Sequence, residues 1–187
     1  WNWWNPGPKE LATQWRTTPV VIDFDSDGIN DLVMLDHEGY LALFRRQRQG
    51  ERLVLLPPER VFYAAGASVF DQRQTPGGTA DGLLQLNGGV AGRSGRRKLC
   101  MVDYDGDGRL DLLANSKSVN FLRNVSTDEK KHVFKDMGPM DAAVLAGHTT
   151  SPTVVDWDRG GIPDLLVGAE DGFFYYKKNP RSPEGKP

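Results

Sequence analysis

A short acidic loop that occurs three times constrains the fold of this chain more than any other feature. The copies occupy residues 23–31, 103–111 and 156–164. The first two place carboxylates at loop positions 1, 3, 5 and 9, the third at positions 1, 3 and 9, and all three have glycine at position 6. A hard cation such as calcium takes about six to eight oxygen ligands, and a chain must turn sharply to surround it. Carboxylates crowded this closely repel one another unless a cation lies between them. The pattern therefore predicts cation-binding loops.

The candidate ligands are the aspartates of the three copies: Asp23, Asp25, Asp27 and Asp31; Asp103, Asp105, Asp107 and Asp111; Asp156, Asp158 and Asp164. The third copy has Gly160 at position 5, so we expect it to bind an ion more weakly, through a water, or not at all. An EF-hand is excluded, because position 12 is Met34, Ala114 or Val167 and not a bidentate glutamate.

Short apolar runs lead into and out of each loop, and runs of this length predict buried strands and not helices. The entering strands are predicted at 20–22, 99–102 and 153–155, the leaving strands at 32–35, 112–114 and 165–167, and further strands at 39–44, 52–56, 119–122, 132–134 and 172–176. Strand, acidic loop, strand, turn, strand is the content of one propeller blade. The longer interval between the first two loops predicts an insertion or a degenerate blade around 61–98.

The motif Asp-aromatic-Asp-x-Asp-Gly-x-x-Asp-Leu between hydrophobic strands resembles the FG-GAP (or VCBS) repeat of integrin alpha chains and many secreted bacterial proteins. The resemblance covers roughly 18–45, 98–124 and 151–179. It implies an all-β chain of propeller blades whose aspartates bind Ca²⁺. It also adds the backbone carbonyls at position 7 as ligands, in Ile29, Arg109 and Ile162. A secreted or cell-surface location fits such loops, since weak calcium sites fill at millimolar concentrations.

Three blades do not close a ring, because propellers have about four to eight blades. We therefore expect residues 1–178 to be part of a larger, seven-bladed propeller, with closure by homo-oligomerisation or an irregular closed form as alternatives. The proline-rich segment 179–187 is predicted to be a tail or linker. The expected partners include the remaining blades or further copies of the chain.

Charge and aromatic residues outside the loops suggest a ligand. The loops hold 11 of the 25 acidic residues, so the rest of the chain has an excess of Lys and Arg. Clusters at 45–52 and 93–98, the latter with Arg96 and Arg97, are either solvated or bind an anion such as an acidic polysaccharide. Trp1, Trp3 and Trp4 either pack as an end strand or stack on sugar rings. The chain has no recognised nucleic-acid motif and no apolar stretch near the ~20 residues of a membrane span.

The function that the sequence favours is a non-catalytic, calcium-binding propeller module for carbohydrate binding or scaffolding. One alternative is a polysaccharide lyase or hydrolase with His148 at the propeller mouth. No Ser-His-Asp, paired-carboxylate or zinc spacing accompanies His148, so a turn histidine is favoured. Another alternative is an integrin-like adhesion module that binds protein. The position-2 aromatics Phe24, Tyr104 and Trp157 alternate with the aspartates and are expected to pack between blades.

Overall fold

A computed structural model describes residues 7, 10–66, 68–70, 82–88, 96–128, 130–147 and 149–182. Within these ranges every regular element is a strand. The first seven strands in chain order are β1 Val20–Ile22, β2 Asp31–Leu35, β3 Leu41–Phe44, β4 Arg46–Gln49, β5 Arg52–Leu55, β6 Phe62–Ala64 and β7 Leu99–Val102. The remaining strands are β8 Asp111–Asn115, β9 Val119–Asn124, β10 His132–Pro139, β11 Ser151–Val155, β12 Asp164–Gly168 and β13 Phe174–Lys177. The chain is therefore all-β in its described part, as predicted.

The chain divides into two compact units. One comprises Trp1–Arg97 with Val125–Lys135, and the other comprises Lys98–Asn124 with Asp136–Pro187. Each unit contains the same local topology, in which an acidic loop joins the first two strands of an antiparallel meander. The small sheets of the described ranges form no closed ring, so propeller closure stays a prediction.

The first unit contains the meander β1-β2-β3, with Val21 opposite Leu32 and Val33 opposite Leu43. All four residues of β3 are buried, which explains its uninterrupted apolar sequence. β4 and β5 form a polar hairpin, and β6 pairs in parallel with the first residues of β10. The sequence analysis did not predict β4 or β6, because the exposed Arg-Gln-Arg-Gln of β4 lacks an apolar pattern and β6 has only three residues.

The second unit contains two meanders, β7-β8-β9 and β11-β12-β13. Its core is formed by buried side chains from both: Tyr104, Leu113, Val119, Leu165 and Val167. Full burial of each such side chain contributes about 1.5–3 kcal/mol, so this cluster holds the two meanders together. Of the segment predicted to be a tail, Asn179 and Ser182 are buried in this unit, and 183–187 lie outside the described residues.

Candidate cation-binding loops

The three loops share a backbone conformation that turns the chain sharply twice. Positions 4 and 6 have positive φ in every copy: Ser26 (60°) and Gly28 (83°), Gly106 (78°) and Gly108 (86°), Arg159 (58°) and Gly161 (79°). A non-glycine residue in this region is disfavoured by roughly 1–2 kcal/mol, and Ser26 and Arg159 nevertheless adopt it. The turn is therefore the same in the third loop, although that loop lacks one carboxylate.

The position-1 carboxylate is fixed by the turn that follows it. Its Oδ2 atom accepts a hydrogen bond from the backbone N–H of the position-6 glycine, at 3.0 Å in each copy: Asp23 from Gly28, Asp103 from Gly108 and Asp156 from Gly161. The glycine at position 6 thus has two roles, since it permits the positive φ and brings its N–H to the carboxylate.

The position-9 carboxylate ties the loop to the end of the third strand. Its Oδ1 atom accepts a backbone N–H at 2.6 Å (Asp31 from Arg46), 2.8 Å (Asp111 from Asn124) and 2.7 Å (Asp164 from Asn179). All three aspartates are buried, with at most 1% exposure. Position 9 is therefore a structural as well as a candidate ligand position.

The hydrogen bonding of the other position-9 carboxylate oxygen, Oδ2, differs between the loops. Oδ2 of Asp31 is buried and has no hydrogen-bond partner among the residues that the structure describes. Oδ2 of Asp111 accepts the backbone N–H groups of Tyr104 at 3.0 Å and Asp105 at 3.3 Å. A buried carboxylate oxygen without a partner is costly, and a cation would satisfy the oxygen of Asp31.

Two of the loops gather carboxylates closely enough to hold an ion. Asp23, Asp25 and Asp27 each offer an oxygen within 4.8 Å of the others, and Asp103, Asp105 and Asp111 do the same. No such group forms in the third loop, all of whose residues are described. An all-oxygen donor set fits a hard cation. No contact tests the position-7 carbonyls of Ile29, Arg109 and Ile162, which stay a prediction.

Burial disfavours the charged form of Asp111 in the second loop unless hydrogen bonds or an opposite charge compensate for it. Desolvation raises the pKa of Asp111, and the charge of Asp105 raises it further, whereas the N–H groups of Asn124 and Tyr104 lower it. A cation beside this carboxylate would stabilise the charged form.

A basic side chain from the end of the third strand contacts each loop. Arg45 Nη1 lies 3.1 Å from Asp25 Oδ2, and Lys178 Nζ lies 3.2 Å from Asp158 Oδ2. In the second loop Arg123 Nε lies 2.5 Å from Asp105 Oδ2, and its Nη2 lies 3.4 Å from Asp107. Each basic residue immediately precedes the residue whose N–H binds the position-9 carboxylate, so the contact recurs at one repeat position.

The position-2 aromatics do not share one environment. Phe24 packs edge-on against Phe62 and His132, at centroid distances of 5.5 and 4.7 Å. Tyr104 is 6% exposed and packs against Phe121. The expectation that these side chains are packed is therefore confirmed for the first two copies.

Trp157 departs from that expectation, because it is 63% exposed. It contacts the ring of Tyr176 at 5.6 Å, and Phe174 on the same edge strand, β13, is 77% exposed. The third repeat thus presents an aromatic surface, which we define as Trp157, Phe174 and Tyr176.

The predicted ligand-binding residues outside the loops are only partly described. Arg96 is exposed, whereas Arg97 donates from Nε to the carbonyl of Leu86 at 2.6 Å and lies over the ring of Phe70. Burial lowers the pKa of Arg97 to about 10. These contacts pack Arg97 against its own unit, and anion binding by Arg96 and Arg97 stays a prediction. The other candidates, Trp1, Trp3, Trp4 and His148, lie outside the described residues.

The fold and loops define an all-β repeat protein with acidic loops suited to a hard cation. Residues 103–167 match the family model described as an FG-GAP-like repeat, which confirms the predicted resemblance for this segment. The match begins at the first aspartate of the second loop and ends after the third loop. Searches of curated proteins and of solved structures returned no match. FG-GAP-like repeats are typical of extracellular proteins.

The described part of the chain forms no helix of the length and apolar character needed to cross a lipid bilayer.

Sequence reasoning missed the basic partners of the loops and the role of Tyr176. Arg45 was grouped with its arginine neighbours as an anion-binding candidate, although it contacts Asp25 and lies 3.6 Å from Glu59. Counted from position 9, Arg45 and Lys178 both come 14 residues later but Arg123 comes 12 residues later, so the sequence spacing alone conceals the equivalence. The strand pairing reveals it, since Phe44, Leu122 and Lys177 each pair with the residue after position 9, and the three basic residues directly follow them.

Proposed function

We propose that this protein is a calcium-binding, non-catalytic module of β-propeller blades that serves scaffolding or carbohydrate binding in a secreted or cell-surface protein. The observation that carries the proposal is the loop geometry. Two loops each bring three carboxylate oxygens together, and in the first of them Asp31, outside that group of three, has a buried oxygen with no hydrogen-bond partner among the described residues. The FG-GAP-like repeat match supports the same reading.

Calcium supplies positive charge and oxygen coordination, and the loops supply carboxylates at positions 1, 3, 5 and 9. In the first loop the ligands would be the four aspartates and the carbonyl of Ile29; in the second, the four aspartates and the carbonyl of Arg109. Since each loop joins two strands, a bound ion would stabilise the meander and thus the folded state. The role is structural and involves no catalytic step.

Blade architecture is supported by the three matching meanders. Each runs strand, acidic loop, strand, turn, strand, and each position-9 aspartate binds the end of the third strand. This is the repeating unit expected of a propeller. Closure into a ring requires more blades, which a longer chain or further copies would supply.

The aromatic surface supports a scaffolding role. In the second repeat the corresponding pair, Tyr104 and Phe121, is packed in a core that includes Leu165 and Val167 of the third repeat. In the third repeat the pair Trp157 and Tyr176 is exposed. Another repeat of the same kind would cover it as the third repeat covers the second, so scaffolding is the partner role that the repeat comparison favours.

Carbohydrate binding through the same surface is the second candidate. Exposed aromatic rings stack on the apolar faces of sugar rings, and Lys178 and Arg159 lie close in sequence to this surface. A glycan array with acidic and neutral polysaccharides tests it. Binding that Trp157→Ala abolishes would support a carbohydrate role, and unchanged binding would contradict a role for this surface.

Calcium dependence is tested by thermal melts in excess calcium and in chelator. Asp105→Ala should lower Tm in calcium by several degrees more than in chelator, because it removes a ligand from the second loop. Asp158→Ala, the same position in the third loop, is the matched control and should change Tm equally in both conditions. An equal effect of both substitutions in both conditions would contradict the proposal.

A further inference from the structure

We propose that Arg45 and Arg123 are tethered counter-cations that compete with calcium for the position-3 carboxylate of their own repeat. This inference rests on the proposed calcium function and concerns the regulation of the same loops. Each arginine lies at the end of a third strand and pairs with a carboxylate at position 3 of the loop, Asp25 or Asp105.

The contact is specific because it recurs in independent copies. In the third repeat Lys178 takes the same position and lies 3.2 Å from Asp158. Three repeats that differ at most other positions thus keep a cationic side chain on the same carboxylate. An accidental surface pair would not be expected three times at one repeat position.

In the second loop the guanidinium of Arg123 contacts carboxylate oxygens that a bound calcium ion would also need. Arg123 approaches both Asp105 and Asp107, so a single guanidinium engages two of the four carboxylates of its loop. An ion in this loop must either displace the guanidinium or bind beside it against charge repulsion. Both outcomes weaken calcium binding, because displacement breaks the ion pair and binding beside the guanidinium brings like charges together.

The arginine of each loop also stabilises that loop when calcium is scarce. The arginine partly neutralises carboxylates that would otherwise repel one another across the turn. Arg45 and Arg123 are about two-fifths exposed, so screening by salt reduces this stabilisation. In the third repeat two side chains contact the loop carboxylates: Lys178 contacts Asp158, and the hydroxyl of Tyr176 contacts Asp164.

The test uses the whole chain with Arg45→Gln and Arg123→Gln, each of which removes the charge and keeps a polar side chain. Arg48→Gln is the charge-matched control, because Arg48 is an exposed residue of β4. Calorimetric calcium titration should show about fivefold tighter binding at the loop of the altered arginine and no change for Arg48→Gln. In chelator, Tm of both loop variants should fall, and the difference from wild type should shrink as salt is raised.

The outcomes separate this inference from the proposed function. If wild type binds calcium and the loop variants bind equally or more weakly, the arginines are positioning residues and the inference is overturned. If wild type does not bind calcium, the proposed function fails, and the variants then test the inference by themselves. Calcium binding gained by a loop variant would support competition by the arginine, and no binding by either loop variant would overturn it. Arg123→Lys keeps the charge and should bind calcium as wild type does, which controls for a folding defect.

Discussion

The hydroxyl of Tyr176 donates a hydrogen bond to Oδ2 of Asp164 at 2.9 Å. The equivalent oxygen of Asp31 is buried and has no partner within the described part of the chain. The third loop keeps the turn of the other two, but a side chain of β13 satisfies its position-9 carboxylate. Gly160 at position 5 removes one carboxylate of the set, the Tyr176 contact occupies an oxygen of another, and the fully described third loop forms no carboxylate cluster.

A third cation site should be restorable. Gly160→Asp combined with Tyr176→Phe supplies the missing carboxylate and frees Oδ2 of Asp164. The backbone of Gly160 lies outside the left-handed region, and a Cβ there would lie 2.8 Å from Oδ1 of Asp158, a side-chain atom that must shift to make room. We expect metal analysis to find three calcium ions per chain in place of two. Gly160→Ala with Tyr176→Phe is the control, and a third ion in that control would contradict the explanation.

The unpartnered oxygen of Asp31 predicts opposite effects in two conditions. Asp31→Asn keeps the acceptor for the N–H of Arg46 but removes the charge, so calcium affinity of the first loop should fall at least about tenfold. In chelator Tm should stay equal or rise, because a buried charge has been removed. A fall in Tm of the same size with and without calcium would show that Asp31 is a structural residue only.

Replacing the position-2 aromatic by alanine should lower the free energy of unfolding more in the second repeat than in the third. Tyr104→Ala should lower the free energy of unfolding by about 3 kcal/mol, since the side chain is 6% exposed and part of the core. Trp157→Ala should cost under about 1 kcal/mol, since that side chain is 63% exposed. Urea unfolding measures both values, and equal costs would mean that the third repeat is packed as the second is.

Acid should weaken the first unit through His132. Burial lowers the pKa of His132, and the charge of Arg45 lowers it further, although Asp128 acts in the opposite direction. The unfolded state therefore binds a proton more readily, and stability present above the unfolded pKa of about 6.5 is lost as pH falls through the lowered value. Between pH 7.5 and 5.5, Tm should drop by a few degrees more in wild type than in His132→Gln. Identical drops would exclude His132 as the cause.

The meanders and the loops were predictable from the sequence because their signals are local. Apolar runs beside a fixed pattern of Asp and Gly predict both the strands and the turn, and β1, β2 and β8 lie within one or two residues of the expected bounds. The difference between the third loop and the others was also visible at Gly160.

The remaining features depend on contacts that local patterns do not record. β4 is polar on both faces, so its pairing with β5 has no hydrophobic periodicity to reveal it. The exposure of Trp157 depends on which repeat follows it and not on its own neighbours in sequence. The pairing of Arg123 with Asp105 joins residues on either side of a whole strand, and the strand pairing, not the sequence spacing, reveals its equivalence to the other repeats.

The most direct test of the account is a calorimetric calcium titration of the wild-type chain, previously stripped of metal, with metal analysis of the product. The account predicts two ions per chain, one in each of the loops at 23–31 and 103–111, and a rise in Tm on binding. Binding of no calcium, with Tm identical in calcium and chelator, would contradict it and leave the acidic loops as turns held by their own hydrogen bonds.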